Sequence, residues 1–279
     1  MKRYISGKNT RITEYNSLTE FLNDINSLPN NEFFKDRHSS QRIARENDSY
    51  YGTVDYQQAT YLLSHGWDAA AGKLATKVKL TNATSTAVRS SKPSYGVVGS
   101  QASVPRYLQG IPTNMVSRQM TYAKQKVVTI TKGISYSCRW TPEEILNECA
   151  KALQIIQSME NGGQRVRLNV MLAVRSNNDR FYSVCKVCVK HPDERLNLSK
   201  MAFAMAHPSM LRRFFLKWLE VDPFAEGDMG GNYGMPGDDM LKARAMSENE
   251  YYIPEEIKDM DALIATLTGS AKKPGGATK

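Results

Sequence analysis

Between residues 126 and 190 the chain alternates short apolar runs with one clearly bounded helix, and that order restricts the fold more than any other stretch. The run 126–131, Lys-Val-Val-Thr-Ile-Thr, is short and β-branched, the pattern of a buried strand. Thr141-Pro142-Glu143-Glu144 follows, supplying an N-cap hydroxyl, a proline at the first helical position and a glutamate at the third. Ile145, Leu146, Cys149, Ala152, Leu153 and Ile156 then form one apolar face before Asn161-Gly162-Gly163 stops the helix. A long apolar run at 165–174 predicts a second strand, Ser176-Asn177-Asn178-Asp179 a turn, and 181–190 a returning third strand. Strand, crossover helix, strand and antiparallel hairpin strand predict an α/β chain, with a small mixed sheet flanked by helices and a right-handed crossover.

The flanking regions divide by composition. Residues 1–81 read as a helical N-terminal region. Ser17-Leu18-Thr19-Glu20 has capping-box spacing ahead of Phe21, Leu22, Ile25 and Leu28, and Thr53 or Asp55 caps a helix carrying Tyr56, Ala59, Leu62 and Leu63 that ends at Gly66. An alanine-rich stretch after Trp67 makes a third helix with Lys73, Lys77 and Lys79 outside. Residues 82–103 are Ser, Thr, Ala and Gly-rich without a period, which predicts a flexible connector to an α/β core at 104–221. The helical stretch 198–221 should break or restart at His207-Pro208-Ser209. Beyond the break Met210, Leu211, Phe214, Phe215, Trp218 and Leu219 face inward, and Arg212, Arg213 and Lys217 face out. Residues 222–250 read as an acidic Gly-rich loop, 251–267 as a short strand and a last helix, and 268–279 as a disordered tail.

Charge is segregated. The 279 residues carry a formal charge of +9, yet 69–142 holds eleven cations and no carboxylate, while 220–261 holds twelve carboxylates against three cations. An acid-free basic surface attracts polyanions because each neutralised phosphate releases condensed counterions, and nucleic acid, DNA or RNA, is the expected partner. The competing expectation is that the acidic segment 220–261 neutralises basic groups inside the fold or pairs head to tail with the basic region of another copy, giving a homo-oligomer. At 41% hydrophobic content the chain can bury a core, and no run approaches the ~18 apolar residues of a membrane span. A soluble, cytoplasmic protein is expected, without membrane contact.

Catalytic chemistry is hard to assemble from this sequence. Cys185-Lys186-Val187-Cys188 has the spacing of half a metal or redox site, but residues three apart on a strand point to opposite faces, and no second Cys or His pair completes it. The four histidines are scattered, and no phosphate-binding or dinucleotide glycine fingerprint follows a strand. No catalytic residue, cofactor or metal is expected, so the chain reads as a non-enzymatic protein.

Two resemblances bear on origin and fold. Val104-Pro105-Arg106-Tyr107-Leu108-Gln109-Gly110-Ile111-Pro112-Thr113-Asn114-Met115, with His65-Gly66-Trp67 and His207-Pro208-Ser209-Met210-Leu211-Arg212-Arg213, resembles an uncharacterised family of bacteriophages and bacterial mobile elements. That resemblance implies an origin, with host cytoplasm or a virion as the location, and no mechanism. Gly133-Ile134-Ser135-Tyr136-Ser137 is similar to the Asp-x-Ser-x-Ser metal motif of von Willebrand factor A domains, with Gly133 in place of the aspartate. It implies Ser135 and Ser137 as metal-site candidates without the charged ligand that a hard dication needs.

The leading expectation is a phage- or mobile-element-encoded protein that binds nucleic acid through 69–142. Arg106, Arg118, Lys124, Lys126, Lys132 and Arg139 are the phosphate contacts, with Tyr107 and Tyr122 as stacking rings. The alternatives are a virion or scaffold assembly protein and a von Willebrand factor A-like protein-interaction module without a working metal site.

Overall fold

In the computed structural model the described residues are 1–7, 9–30, 50–78, 89–122, 126–137, 139–176, 181–222, 233, 235–237, 242, 245–247 and 249–268, with the backbone alone for 89–92 and 118–122. The chain opens with strands β1 (Lys2–Ser6) and β2 (Thr10–Tyr15) and helices α1 (Leu18–Ser27), α2 (Tyr56–His65) and α3 (Asp68–Lys77). Next come β3 (Arg89–Gly96), β4 (Gln101–Ala102), the short α4 (Val104–Leu108) and β5 (Met115–Tyr122). The core run is β6 (Val127–Gly133), α5 (Pro142–Asn161), β7 (Arg165–Arg175) and β8 (Tyr182–Lys190). It is followed by α6 (Leu198–Ala206), a π-helical segment (Met210–Phe215), α7 (Leu216–Val221), β9 (Met235–Pro236), β10 (Glu250–Ile253) and α8 (Met260–Thr268). None of the described helices is long and apolar enough to cross a membrane.

The fold is mixed α/β, and its central run matches the sequence reading. β6 and β7 pair in parallel across α5, and β8 returns antiparallel to β7. The α5 N-terminus closes a reciprocal box: the Thr141 hydroxyl accepts from the Glu144 N–H at 3.3 Å, and the Glu144 carboxylate accepts from the Thr141 N–H at 2.8 Å. The main sheet runs β1-β2-β8-β7-β6-β10, with β9 paired to the end of β7. Val166, Leu168, Val170, Leu172 and Val174 of β7 alternate onto the face that packs with Ile145, Leu153, Phe203, Phe214 and Trp218. On the opposite face a smaller cluster joins Ile12, Met171, Ala173, Val184 and Ala245.

The regions outside that run depart from expectation. The N-terminal 1–81 is not wholly helical, because β1 and β2 join the main sheet and β2 lies inside it, parallel to β8. Its Thr10 and Thr13 are buried by neighbours supplied from much later in the chain. The expected connector 82–103 contains β3 and β4, which pair antiparallel with β5 as a separate three-stranded sheet; 82–88 lie outside the described residues. The break at His207-Pro208 is present, with the π-helical segment beyond it. Arg212, Arg213 and Lys217, expected outside, are buried. Residues 50–54 cover this side, so that Arg213 Nε donates to Thr53 Oγ1 at 2.8 Å and Nη2 donates to the Thr53 carbonyl at 2.8 Å, while Arg212 lies over the Tyr50 ring at 4.3 Å. Buried guanidinium is tolerated where carbonyls and ring faces replace water. Gly66 ends α2 with φ 97°, and an added Cβ there would lie 2.6 Å from the Ser199 Cβ, so the contact between α2 and α6 requires glycine.

Candidate nucleic-acid interface

β3 and β5 form a ribbon of eight register pairs, from Arg89 opposite Tyr122 at its foot to Gly96 opposite Met115 toward its tip. The register also sets Arg118 opposite Pro93. Beyond the last pair the chain turns through 97–100, adds β4 to the other edge of β5 at Met115 and Val116, and forms α4. The turn requires glycine at 99: an added Cβ would lie 2.6 Å from the Val116 carbonyl oxygen. Pro105 sits in the first turn of α4, where a missing N–H costs nothing.

This tip carries the ribbon's chemistry. Arg106 stacks its guanidinium 3.9 Å from the centre of the Tyr95 ring and donates through Nη1 to the Thr113 carbonyl at 3.1 Å. Held this way, it presents a flat cation on a preformed platform rather than a free chain. Tyr107, next in α4, is 67% exposed, and Val104 and Leu108 of the same helix and Val97 and Val98 (86% exposed) of the turn after β3 are exposed too. Aliphatic side chains this exposed, grouped on one tip, are unusual for a surface with nothing to bind.

Of the eight residues expected to contact nucleic acid, the described ones do not all reach the surface. Arg106 and Tyr107 stand on the ribbon tip. Arg118 and Tyr122 belong to β5, described by backbone alone, and Lys124 lies outside the described residues. Lys126 and Arg139 are exposed, the first immediately before β6 and the second in the turn that leads into α5.

Lys132 is not a surface cation. It is fully buried, and its Nζ donates to the carbonyls of Pro254 and Glu255, the latter at 3.0 Å. Burial pulls its pKa down to about 8, partly offset by the carboxylates of Glu255 and Glu148. Lys132 therefore pins the segment after β10 onto the end of β6, and the Glu148 carboxylate fixes the same segment by accepting from the Ile257 N–H at 2.7 Å. Its position on a strand whose Val128 and Ile130 face the core carried the signal for burial, overridden in the sequence reading by its charge.

The acidic segment is partly spent inside the fold. Glu250 pairs with Lys186 at 2.7 Å and Glu255 with Lys242 at 2.8 Å. Asp222 accepts from the Thr13 hydroxyl at 3.0 Å, and Glu220 from the Tyr233 hydroxyl at 2.6 Å.

Ser135 and Ser137 follow β6 but do not form a ligand pair. The Ser135 hydroxyl accepts from the Ala173 N–H at 3.3 Å, which ties it to β7, and Ser137 is exposed. Gly133, where the resemblance wants an aspartate, is hemmed in by the Tyr252 hydroxyl and the Glu255 carboxylate, the latter 2.7 Å from an added Cβ. Among the described residues no three His, Cys, Asp or Glu side chains gather as a metal set. Cys185 packs in the helix-side core while Cys188 sits opposite Asn169 on the other face, and burial pushes both thiols up, away from the reactive thiolate. Tyr95, the platform under Arg106, was missed because it lies in a stretch without periodicity; the Arg-Tyr pair at 106–107 and the turn residues around it were its one visible companion.

The fold defines a mixed α/β protein with a second, three-stranded antiparallel sheet. Residues 3–268 match the model of a protein family described as a domain of unknown function, DUF7192, and the chain belongs to that family. No curated protein and no solved structure matches it.

Proposed function

We propose that this chain is a non-enzymatic nucleic-acid-binding protein of phage or mobile-element origin that engages its polymer through the ribbon. One observation carries the reading: residues 89–122 hold Arg89, Lys92, Arg106 and Arg118 with no carboxylate, and end in exposed aliphatic side chains beside a guanidinium stacked on tyrosine. A two-stranded ribbon fits a major groove roughly 12 Å wide. Aliphatic residues next to arginine act as wedges between base steps in proteins that bend duplexes.

The test is a fluorescence anisotropy titration with labelled duplex and single strands at several salt concentrations. With the four ribbon cations and Lys126 on phosphates, log K falls against log salt with a slope of about −4.5 on duplex and about −3.5 on single strands. Arg106→Ala with Tyr107→Ala weakens binding about tenfold or more. Absence of binding at low salt overturns the reading.

The exposed tip favours a second reading, a virion or scaffold assembly protein whose Val97, Val98 and Leu108 insert into a neighbouring copy. It expects concentration-dependent self-association without nucleic acid, abolished by Val98→Asp in sedimentation.

A further inference from the structure

The face of the main sheet turned away from the helices is divided. Its upper part, around Met171, Ala173, Val184 and Ile12, is apolar and covered by Ala245. Its lower part is a cavity of about 390 Å³ with a charged floor. Lys186 on β8 lies between two carboxylates there, Glu250 at 2.7 Å and Glu14 at 3.5 Å, and it is only 2% exposed. Glu250, 4% exposed, also accepts from the Thr131 hydroxyl and from the Ser247 N–H at 3.0 Å. Asn169 on β7 donates to Thr131 Oγ1 at 3.2 Å. A polar seam thus crosses the sheet from β2 to β10 where alternation would otherwise place apolar residues. Replacing a buried ion pair by apolar residues of similar volume is often neutral or stabilising, so the charged floor is weak evidence for a purely stabilising role.

The charges left over define what the cavity can hold. Lys186 offsets one of the two carboxylates, and the two further cations in the lining, Arg167 and Lys2, the latter the register partner of Glu14, bring the lining to a net charge of +1. Arg167 is half-buried, and the hydrogen bond described for it goes to a neutral group, Asn16 Oδ1 at 3.2 Å. Among the described residues neither Lys2 nor Arg167 has a carboxylate within ion-pair reach. A planar fork and a point charge in one lining suit a phosphate dianion. The neighbouring amides of Asn16, Asn169 and Asn249 offer paired donors and acceptors suited to hydroxyl groups. The lining has no exposed aromatic ring among the described residues, since Tyr15 is buried, so nothing is provided for stacking a base.

We propose that this cavity binds a sugar phosphate, with the phosphate on Arg167 and Lys2 and the hydroxyls on the asparagine amides beside the Lys186–Glu250 floor. The site stands apart from the ribbon and does not depend on nucleic-acid binding there. Calorimetry with ribose 5-phosphate as the probe tests it. Wild type and Arg106→Ala should bind alike, whereas Arg167→Ala and the exposed-residue variant Lys2→Ala should each weaken binding about tenfold or more. Unchanged far-ultraviolet circular dichroism excludes unfolding as the cause in these variants. Competition by a 5′-phosphorylated dinucleotide identifies a nucleic-acid end as the source of the sugar phosphate, and failure to compete identifies a free metabolite. No saturable binding at millimolar probe, affinity equal to that of inorganic phosphate, or affinity unchanged in both lining variants overturns the proposal.

Discussion

His207 sits where α6 breaks, with its Nδ1 accepting from the Ser209 N–H at 3.1 Å, its ring edge-on to Trp67 and stacked on Phe203. Gly52 closes the site, for an added Cβ there would lie 3.1 Å from the ring. Burial brings the imidazole pKa down to about 4, so the folded protein holds it neutral. The unfolded chain protonates near pH 6.5 and binds the proton first, so the contribution is fully present above about pH 6.5 and is lost as pH falls toward 4. The loss is of order 3 kcal/mol at most. Chemical denaturation at neutral and mildly acid pH checks this: wild type should lose more stability between the two than His207→Gln, and equal losses would contradict it. The same residue scale explains why the cations of the π-helical segment misled the sequence reading. Arg213 is buried by a segment 160 positions away, through its bond to Thr53, and a charge carries no mark of what will cover it.

Among the elements, α5 was fully legible because every signal in it is local: a threonine cap, a proline at the first position, a glutamate three residues on and one apolar face. Thr141→Ala removes the capping hydroxyl while leaving the apolar face intact, and should cost about 1 kcal/mol in urea denaturation. A loss several times larger would place Thr141 in more than a cap. β2 was illegible for the opposite reason. Thr-Arg-Ile-Thr-Glu-Tyr is mostly polar, and its place inside the sheet follows from β8, whose Val184 and Lys186 lie opposite Ile12 and Glu14. The same pairing hid the cavity, since Glu14, Lys186 and Glu250 come together only when three separate strands are in register. The ribbon escaped notice because its serines, threonines and glycines match the composition of a linker, and only long-range pairing of β3 with β5 makes them strands.

At the scale of the molecule, the acid-free stretch 69–142 is not one surface. It is shared among α3, the ribbon, the buried part of β6 and the turn before α5. The ribbon is the piece that can be separated, since its feet at Arg89 and Tyr122 are register partners about 5 Å apart. A chain lacking 89–122 should keep the cooperative thermal transition of the main sheet and lose nucleic-acid affinity. Loss of the transition would mean that the ribbon is part of the core. The position of β2 also sets an order of events during synthesis. Made well before β8, it has its inner partner only when β8 has emerged, and at about 5–20 residues per second that takes on the order of ten seconds or more. Through that interval the β1–β2 hairpin has an unpaired inner edge, so a nascent chain stalled before residue 182 should be the species most prone to aggregate and most in need of a chaperone.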